Sequence, residues 1–279
     1  MTKPVPVFKR PPLIEVALSV QFSPLEGLAL PLQVEFGSKL RARFPKSQTL
    51  PPLGPIPIED PTNPPPVAQE ITVMMQPVAF APRLWFLNNS GTRLVQLQSD
   101  RFAYNWRKES GDEAYPKYPG VRDAFAAELR AFYQFCKEKG VAPPEFNQCE
   151  VIYVDHIFPK GEWAGIGNIH EVFSVWAGLA PPVKGAKQED LAFQARFRID
   201  DGKGKPRGRL TVSSNPATLK ANNQPIQVLQ MIARGSPIGS KDPVDTVLAF
   251  MDLAHERIVG LFEAMTTPAM HKEWGRENG

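Results

Sequence analysis

The sequence predicts an α+β protein: duplicated β-α-β(3-4)-α units forming one curved antiparallel sheet with helices on one face. Three observations carry that expectation. Several stretches alternate apolar and polar residues with a period of two, the pattern of half-buried strands. Others, the longest near the middle and the end of the chain, carry an apolar stripe at helical spacing. The order strand, short helix, three or four strands, long helix runs twice, and Glu15-Val16 returns as Glu150-Val151, 135 positions later. So long a period points to a duplicated unit rather than an array of short repeats. The expected halves are 1–140 and 141–279.

Residues 1–13 are a proline-rich lead-in. Ile14 to Phe22 alternates, with Ile14, Val16, Leu18, Val20 and Phe22 on one face and Glu15, Ala17, Ser19 and Gln21 on the other. Val34, Phe36, Leu40 and Phe44 sit near helical spacing, which predicts a helix over 32–44 stopped by Pro45. Residues 45–68 hold nine prolines and little periodicity. They read as an extended, polyproline-like connector, as an ordered arm laid over the surface, or as a segment that binds a partner.

Strands are expected at 70–76 and 83–88, with Asn89-Ser90-Gly91 as the turn that follows. Arg93–Gln98 and Arg101–Arg107 form a hairpin closed at Ser99-Asp100. In its second strand Phe102, Tyr104 and Trp106 face the core, while Arg101, Asn105 and Arg107 face away. Val121, Phe125, Leu129, Phe132 and Phe135 make a helix ending at Gly140.

The second half begins with a strand, EVIYVDHIF. A helix over 169–179 is expected, capped by Asn168 with Glu171 at its third position. Strands follow at 191–199, 207–214 and 224–234. Asp242-Pro243 then opens the last helix, a capping aspartate with proline at the first helical position. The tail from His271 is polar apart from Trp274.

Composition bounds the function. Of 279 residues, 42% are hydrophobic and 22% charged, values of a soluble globular protein. A net charge of +3, from 32 basic and 29 acidic residues, is too balanced to recruit nucleic acid or a membrane by bulk electrostatics. Cys136 and Cys149 lack metal-ligand spacing and are too few for a disulfide framework, so a reducing, cytoplasmic setting is expected. No apolar run approaches the ~20 residues of a membrane span, and the N-terminus lacks the apolar core of a signal peptide. No membrane partner, metal or cofactor is expected.

The candidate binding residues are the polar face of the sheet: Glu15, Arg101, Asn105, Arg107, Glu150, Arg196 and Arg198. Asp155 and His156 are adjacent in a strand, face opposite ways, and cannot form a dyad. Glu15 and Glu150 would come together if both first strands lie centrally. Paired carboxylates split their pKa values and could do acid–base work; ion pairs with the arginines are the plainer reading. Gly165-Ile166-Gly167 before a helix and the basic hairpin Lys203–Arg209 are weak anion signals.

Several pieces together resemble a sporadically distributed bacterial family of uncharacterised proteins of about this length. They are PPLIEVALSVQF, RLVQLQSDRFAYNWRK followed by Tyr115-Pro116-Lys117-Tyr118, the strand around Glu150–Val154, and Trp274-Gly275 after a long helix. The resemblance implies one architecture and a bacterial cytoplasmic setting; it brings no activity or site residues. The element order also resembles the TATA-binding-protein-like and helix-grip class. The function expected is a non-enzymatic binding or adaptor protein, holding a protein partner on the polar sheet face or on the arm. The alternatives are a nucleic-acid-binding sheet and an enzyme using Glu15 and Glu150 with His156.

Overall fold

The computed structural model describes residues 5–54, 56–63, 82–159, 163, 165–177, 183–239 and 242–277. It is a mixed α+β structure built on a large antiparallel sheet. In chain order the elements are β1 (Val7–Phe8), β2 (Leu13–Phe22), α1 (Leu30–Leu40), β3 (Lys46–Leu50), β4 (Arg83–Leu87), β5 (Arg93–Gln98), β6 (Arg101–Arg107) and α2 (Lys117–Glu138). Next come β7 (Phe146–Ile157), a 3-10 turn (Ile166–Glu171), β8 (Phe193–Asp200), β9 (Pro206–Thr218), β10 (Pro225–Gly235), α3 (Pro243–Met265), α4 (Pro268–Glu273) and β11 (Arg276–Glu277). Nine strands join in the order β3-β4-β5-β6-β2-β7-β10-β9-β8, and every pairing is antiparallel. A small second sheet pairs β1 with β11.

The alternation read in β2 sets the sheet's two sides. Register places Val16 beside Trp106 and Tyr153, Leu18 beside Tyr104 and Val151, and Val20 beside Phe102 and Cys149. All nine are buried. α1 and α2 bring rings from their apolar stripes to these side chains. Phe132 of α2 lies 5.3 Å from Phe102, 6.0 Å from Phe22 and 5.4 Å from Phe36 of α1, ring centre to ring centre. Burying a ring like Phe132 removes enough apolar surface to stabilise the fold by roughly 2–3 kcal/mol. On β9 and β10, the paired Gly208 and Gly235 leave no room for a Cβ: it would strike the neighbouring strand's backbone and crowd the Phe250 ring of α3.

The β5–β6 hairpin and the start of α3 fall where the sequence places them. Asp242 caps α3 by accepting from the Asp245 amide at 2.9 Å, with Pro243 in the first turn. Elsewhere tertiary contacts decide. Of the helix expected over 169–179, residues 178 and 179 lie outside the described residues, and the rest holds only the end of a short 3-10 turn, kinked at Asn168, which gives no side-chain cap. The reason is competition for main-chain groups. Phe173 bridges to Thr266, Ser174 N–H donates to the Met265 carbonyl, and Thr267 N–H donates to the Val172 carbonyl. α1 begins at Leu30 and ends at Leu40, so 41–44 turn rather than continue the helix to Phe44. Residues 46–50 form an unforeseen edge strand. The strand expected at 70–76 lies outside the described residues. The polar tail is anchored by Trp274, buried against Phe8 and Phe262.

Candidate functional site

The other side of the sheet carries Gln98 of β5, Arg101 and Asn105 of β6, Glu15 and Gln21 of β2, Gln148 and Glu150 of β7, and Arg209 of β9. These residues do not simply face outward. The proline-rich stretch after β3 lies across them, and they hold its main chain. Gln98 accepts from Leu53 N–H at 2.9 Å and donates to the Leu53 carbonyl at 3.0 Å. Arg101 reaches the Gly54 carbonyl at 3.5 Å, and Gln21 donates to the Ile56 carbonyl at 3.1 Å. Gln148 donates to the Pro57 carbonyl at 3.3 Å and accepts from Glu59 N–H at 2.7 Å. Arg209 pairs with the Glu59 carboxylate at 2.6 Å and donates to the carbonyls of Asp60 and Asn63.

The contacts advance strand by strand through β5, β6, β2 and β7, then past β10 to β9. Five interstrand spacings come to ~24 Å. The seven steps from Leu53 to Asp60 reach ~22 Å at the polyproline rise. The segment is a strap at right angles to the strands, matched in length to the sheet it crosses. Asp60 closes its far end by accepting from Thr62 N–H, Thr62 Oγ1 and Asn63 Nδ2, which together draw its carboxyl below the usual range.

Beside the strap is a cavity of about 170 Å³ lined by Ser19, Arg83, Gln96, Arg101, Asn105 and Glu150. Arg101, Asn105 and Glu150 therefore come together, and Glu15 joins them because Asn105 donates to it at 2.6 Å. Asn105 also accepts from Gln96, which accepts from the Trp85 indole. Arg107 stands apart, paired with Glu109, donating to the Gly91 carbonyl and lying over the Trp85 ring. Arg198 pairs with Asp200 of its own strand at 3.0 Å, and Arg196 is exposed on the same strand.

The expected approach of Glu15 and Glu150 does not occur. β2 and β7 are antiparallel, with Ala17 opposite Ile152, so the two glutamates lie on opposite sides of that point. Glu15 is level with Val154, four residues from Glu150, ~14 Å along the strand. Their partners pull them further apart: Asn105 on β6 for Glu15, Arg234 on β10 at 2.5 Å for Glu150.

A second place was missed in the sequence. β7 turns Tyr153 and Asp155 toward the helices. With α2, α3 and the segment from Val5 to Phe8 they enclose a part-open, mostly apolar cavity of about 380 Å³. Asp155 is 97% buried (3% exposed) and makes no side-chain hydrogen bond or ion pair among the described residues. Burial alone pushes its carboxyl up to about 7. Tyr153 Oη is 2.8 Å from His255 Nδ1 and 3.4 Å from Tyr115 Oη. Tyr118 stacks on the His255 ring with centroids 3.8 Å apart and donates to Asp252, which also holds Arg122 in a two-pronged ion pair. Burial lowers the His255 pKa to about 4, so its imidazole is neutral at pH 7. Lys117 adopts a left-handed backbone (φ 63°), a conformation costly for a side-chain-bearing residue, and donates to the Phe8 carbonyl at 2.9 Å. That bond ties the N-terminal segment over the cavity. The signal available in the sequence was the aspartate at an inward position of EVIYVDHIF.

Both cysteines are free and buried; burial raises Cys136 to about 11 and Cys149 higher, which leaves thiols rather than reactive thiolates. Among the described residues no group of three His, Cys, Asp or Glu could hold a metal ion. No helix among them is long and apolar enough to cross a membrane. No protein-family model, curated protein or solved structure matches the chain.

Proposed function

We propose that the chain is a non-enzymatic binding protein that holds an extended segment of a protein partner on the polar face of its sheet. The observation that carries this reading is how the face treats its own strap. Gln98 and Gln148 each give one donor and one acceptor to main-chain groups, and Gln21, Arg101 and Arg209 add donors to carbonyls. Main-chain groups are common to every sequence, so a face that reads them can hold other extended chains. Next to the strap, Ile152, Val154, Val228 and Ile232 are half-buried, with Gln230, Ser213 and Thr211 among them. That mixture suits an extended peptide: apolar sockets for alternate side chains, and polar groups for its backbone.

Two further features support a duplicated scaffold. Outward from the centre the strands run β2-β6-β5-β4-β3 in one direction and β7-β10-β9-β8 in the other, so the two runs correspond over four strands and β3 is an addition at one edge. In each half the strand nearest the centre comes first in sequence, and a long helix follows the last strand. The central register pairs Ala17 with Ile152, positions separated by the same interval as Glu15 and Glu150. The nucleic-acid alternative is weaker, because arginines offered for phosphate are committed elsewhere. Arg209 holds Glu59, Arg107 holds Glu109 and Arg198 holds Asp200.

The test is to select linear peptides from a random library against the intact protein and to follow its methyl signals by NMR. Bound peptides are expected to shift Ile152, Val154, Val228 and Ile232. A single-stranded oligonucleotide at low salt is expected to leave those signals in place. Peptide binding that moves none of the four would remove the assignment to this face, and oligonucleotide binding that moves them would favour the alternative.

A further inference from the structure

We propose that the cavity between β7, α2, α3 and the N-terminal segment is a binding site for a small apolar amine, whose ammonium group pairs with Asp155. The inference is independent of the peptide-binding face, since Asp155 and His156 point to opposite sides of the sheet.

The argument begins with an uncompensated carboxyl. A buried carboxylate ordinarily has a cation or several hydrogen-bond donors beside it. Asp155 has neither among the described residues, yet it borders a cavity rather than packed side chains. The titratable and charged groups around it are all otherwise occupied. On its own strand Tyr153 bonds to His255. From α2 and the residues leading into it, Tyr115 turns to Tyr153, Tyr118 to Asp252, and Lys117 to the Phe8 carbonyl. From α3, His255 is held neutral by burial, and Asp252 is locked to Arg122 of α2. The neighbours in register, Leu13 of β2 and Leu229 of β10, are apolar. Among the described residues no counter-charge reaches Asp155, and a cationic ligand would bring one.

The walls specify the rest of that ligand. Phe8, Tyr115, Tyr118, Tyr153 and Phe262 present aromatic surface, and Met231, Ile258 and Val259 fill in between. Ring faces attract a cation as well as a hydrocarbon body. The volume, about 380 Å³, falls within the range of small-molecule sites. An anionic ligand would meet Asp155 as a like charge, and a neutral one would leave it without a counter-ion.

Isothermal titration of the intact protein with 2-phenylethylamine, 2-phenylethanol and 3-phenylpropionate tests the assignment. The amine is expected to bind at least tenfold more tightly than the alcohol, and the propionate not at all. Asp155→Asn should remove that preference while leaving the alcohol's weak binding in place. Because pairing needs the ionised carboxylate and the amine stays protonated throughout, affinity should rise roughly tenfold from pH 6 to pH 8, as Asp155 ionises near 7. Val259→Trp fills the cavity without touching Asp155 and should abolish amine binding, which keeps the test open if the asparagine variant fails to fold. Equal binding of amine and alcohol, no binding of the amine, or amine binding that survives Val259→Trp would each overturn the proposal.

Discussion

Replacing Asp155 with asparagine is expected to stabilise the protein at pH 8 by about 4 kcal/mol more than it does at pH 4. The carboxyl rises from 3.8 in the unfolded chain to about 7 in the fold, because burial disfavours its charge. Below the lower value both states hold the proton and the group is silent. Between the two values the unfolded chain releases the proton while the folded protein keeps it, so stability falls as pH rises; above the higher value the loss is complete. About three pKa units at ~1.4 kcal/mol each give the stated swing. Asparagine cannot ionise, so the slope disappears. Any fixed cost of burying its amide is the same at both pH values and cancels from the difference. Urea unfolding of the two proteins at pH 4, 6 and 8 measures this. A swing under ~1 kcal/mol would mean that Asp155 is solvated or paired, and the cavity would lose its defining charge.

Truncating Phe132 to alanine is expected to cost about 3–5 kcal/mol, as large-to-small changes at fully buried aromatic positions do. Phe132 is 0% exposed, and its ring meets those of Phe22, Phe36 and Phe102, joining α2 to β2, α1 and β6. Leucine at the same position keeps most of the volume and should cost about 1–1.5 kcal/mol. Chemical denaturation of the three proteins decides it. An alanine variant within ~1 kcal/mol of the parent would show that α2 is not seated on this side of the sheet, and the identification of the opposite side as the one left for binding would fall with it.

How much of this was legible in the sequence depended on the range of the interactions involved. The alternation of Ile14–Phe22 and of Arg101–Arg107 is local, and so is the Asp242-Pro243 cap; each gave the right element and the right faces. The helix expected over 169–179 was also a local reading, but Phe173 finds main-chain partners in Thr266 and its neighbours, almost a hundred residues away, and these outweigh a good capping pattern. The proline run without periodicity allowed an ordered arm laid over the surface, which residues 53–60 form, but it did not say where the arm lies. Its partners Gln98, Gln148 and Arg209 are scattered along the chain and converge only once the strand order is known. Glu15 and Glu150 were rightly placed on one face, but antiparallel pairing about Ala17 and Ile152 separates them, which no count along the chain reveals. Asp155 was set aside because His156 beside it points away; its real neighbours, Tyr115 and His255, come from α3 and from the residues leading into α2.

The strap-holding role of the polar face is what the functional reading rests on, and residue-resolved amide hydrogen exchange on the native protein tests it most directly. The Leu53 and Glu59 amides, which donate to Gln98 and Gln148, should exchange at least tenfold more slowly than the free chain. Gln98→Ala should release the first and Gln148→Ala the second. Exchange of both amides at free-chain rates in the unaltered protein would contradict the account, because the sheet would then hold no extended segment even when that segment is tethered beside it.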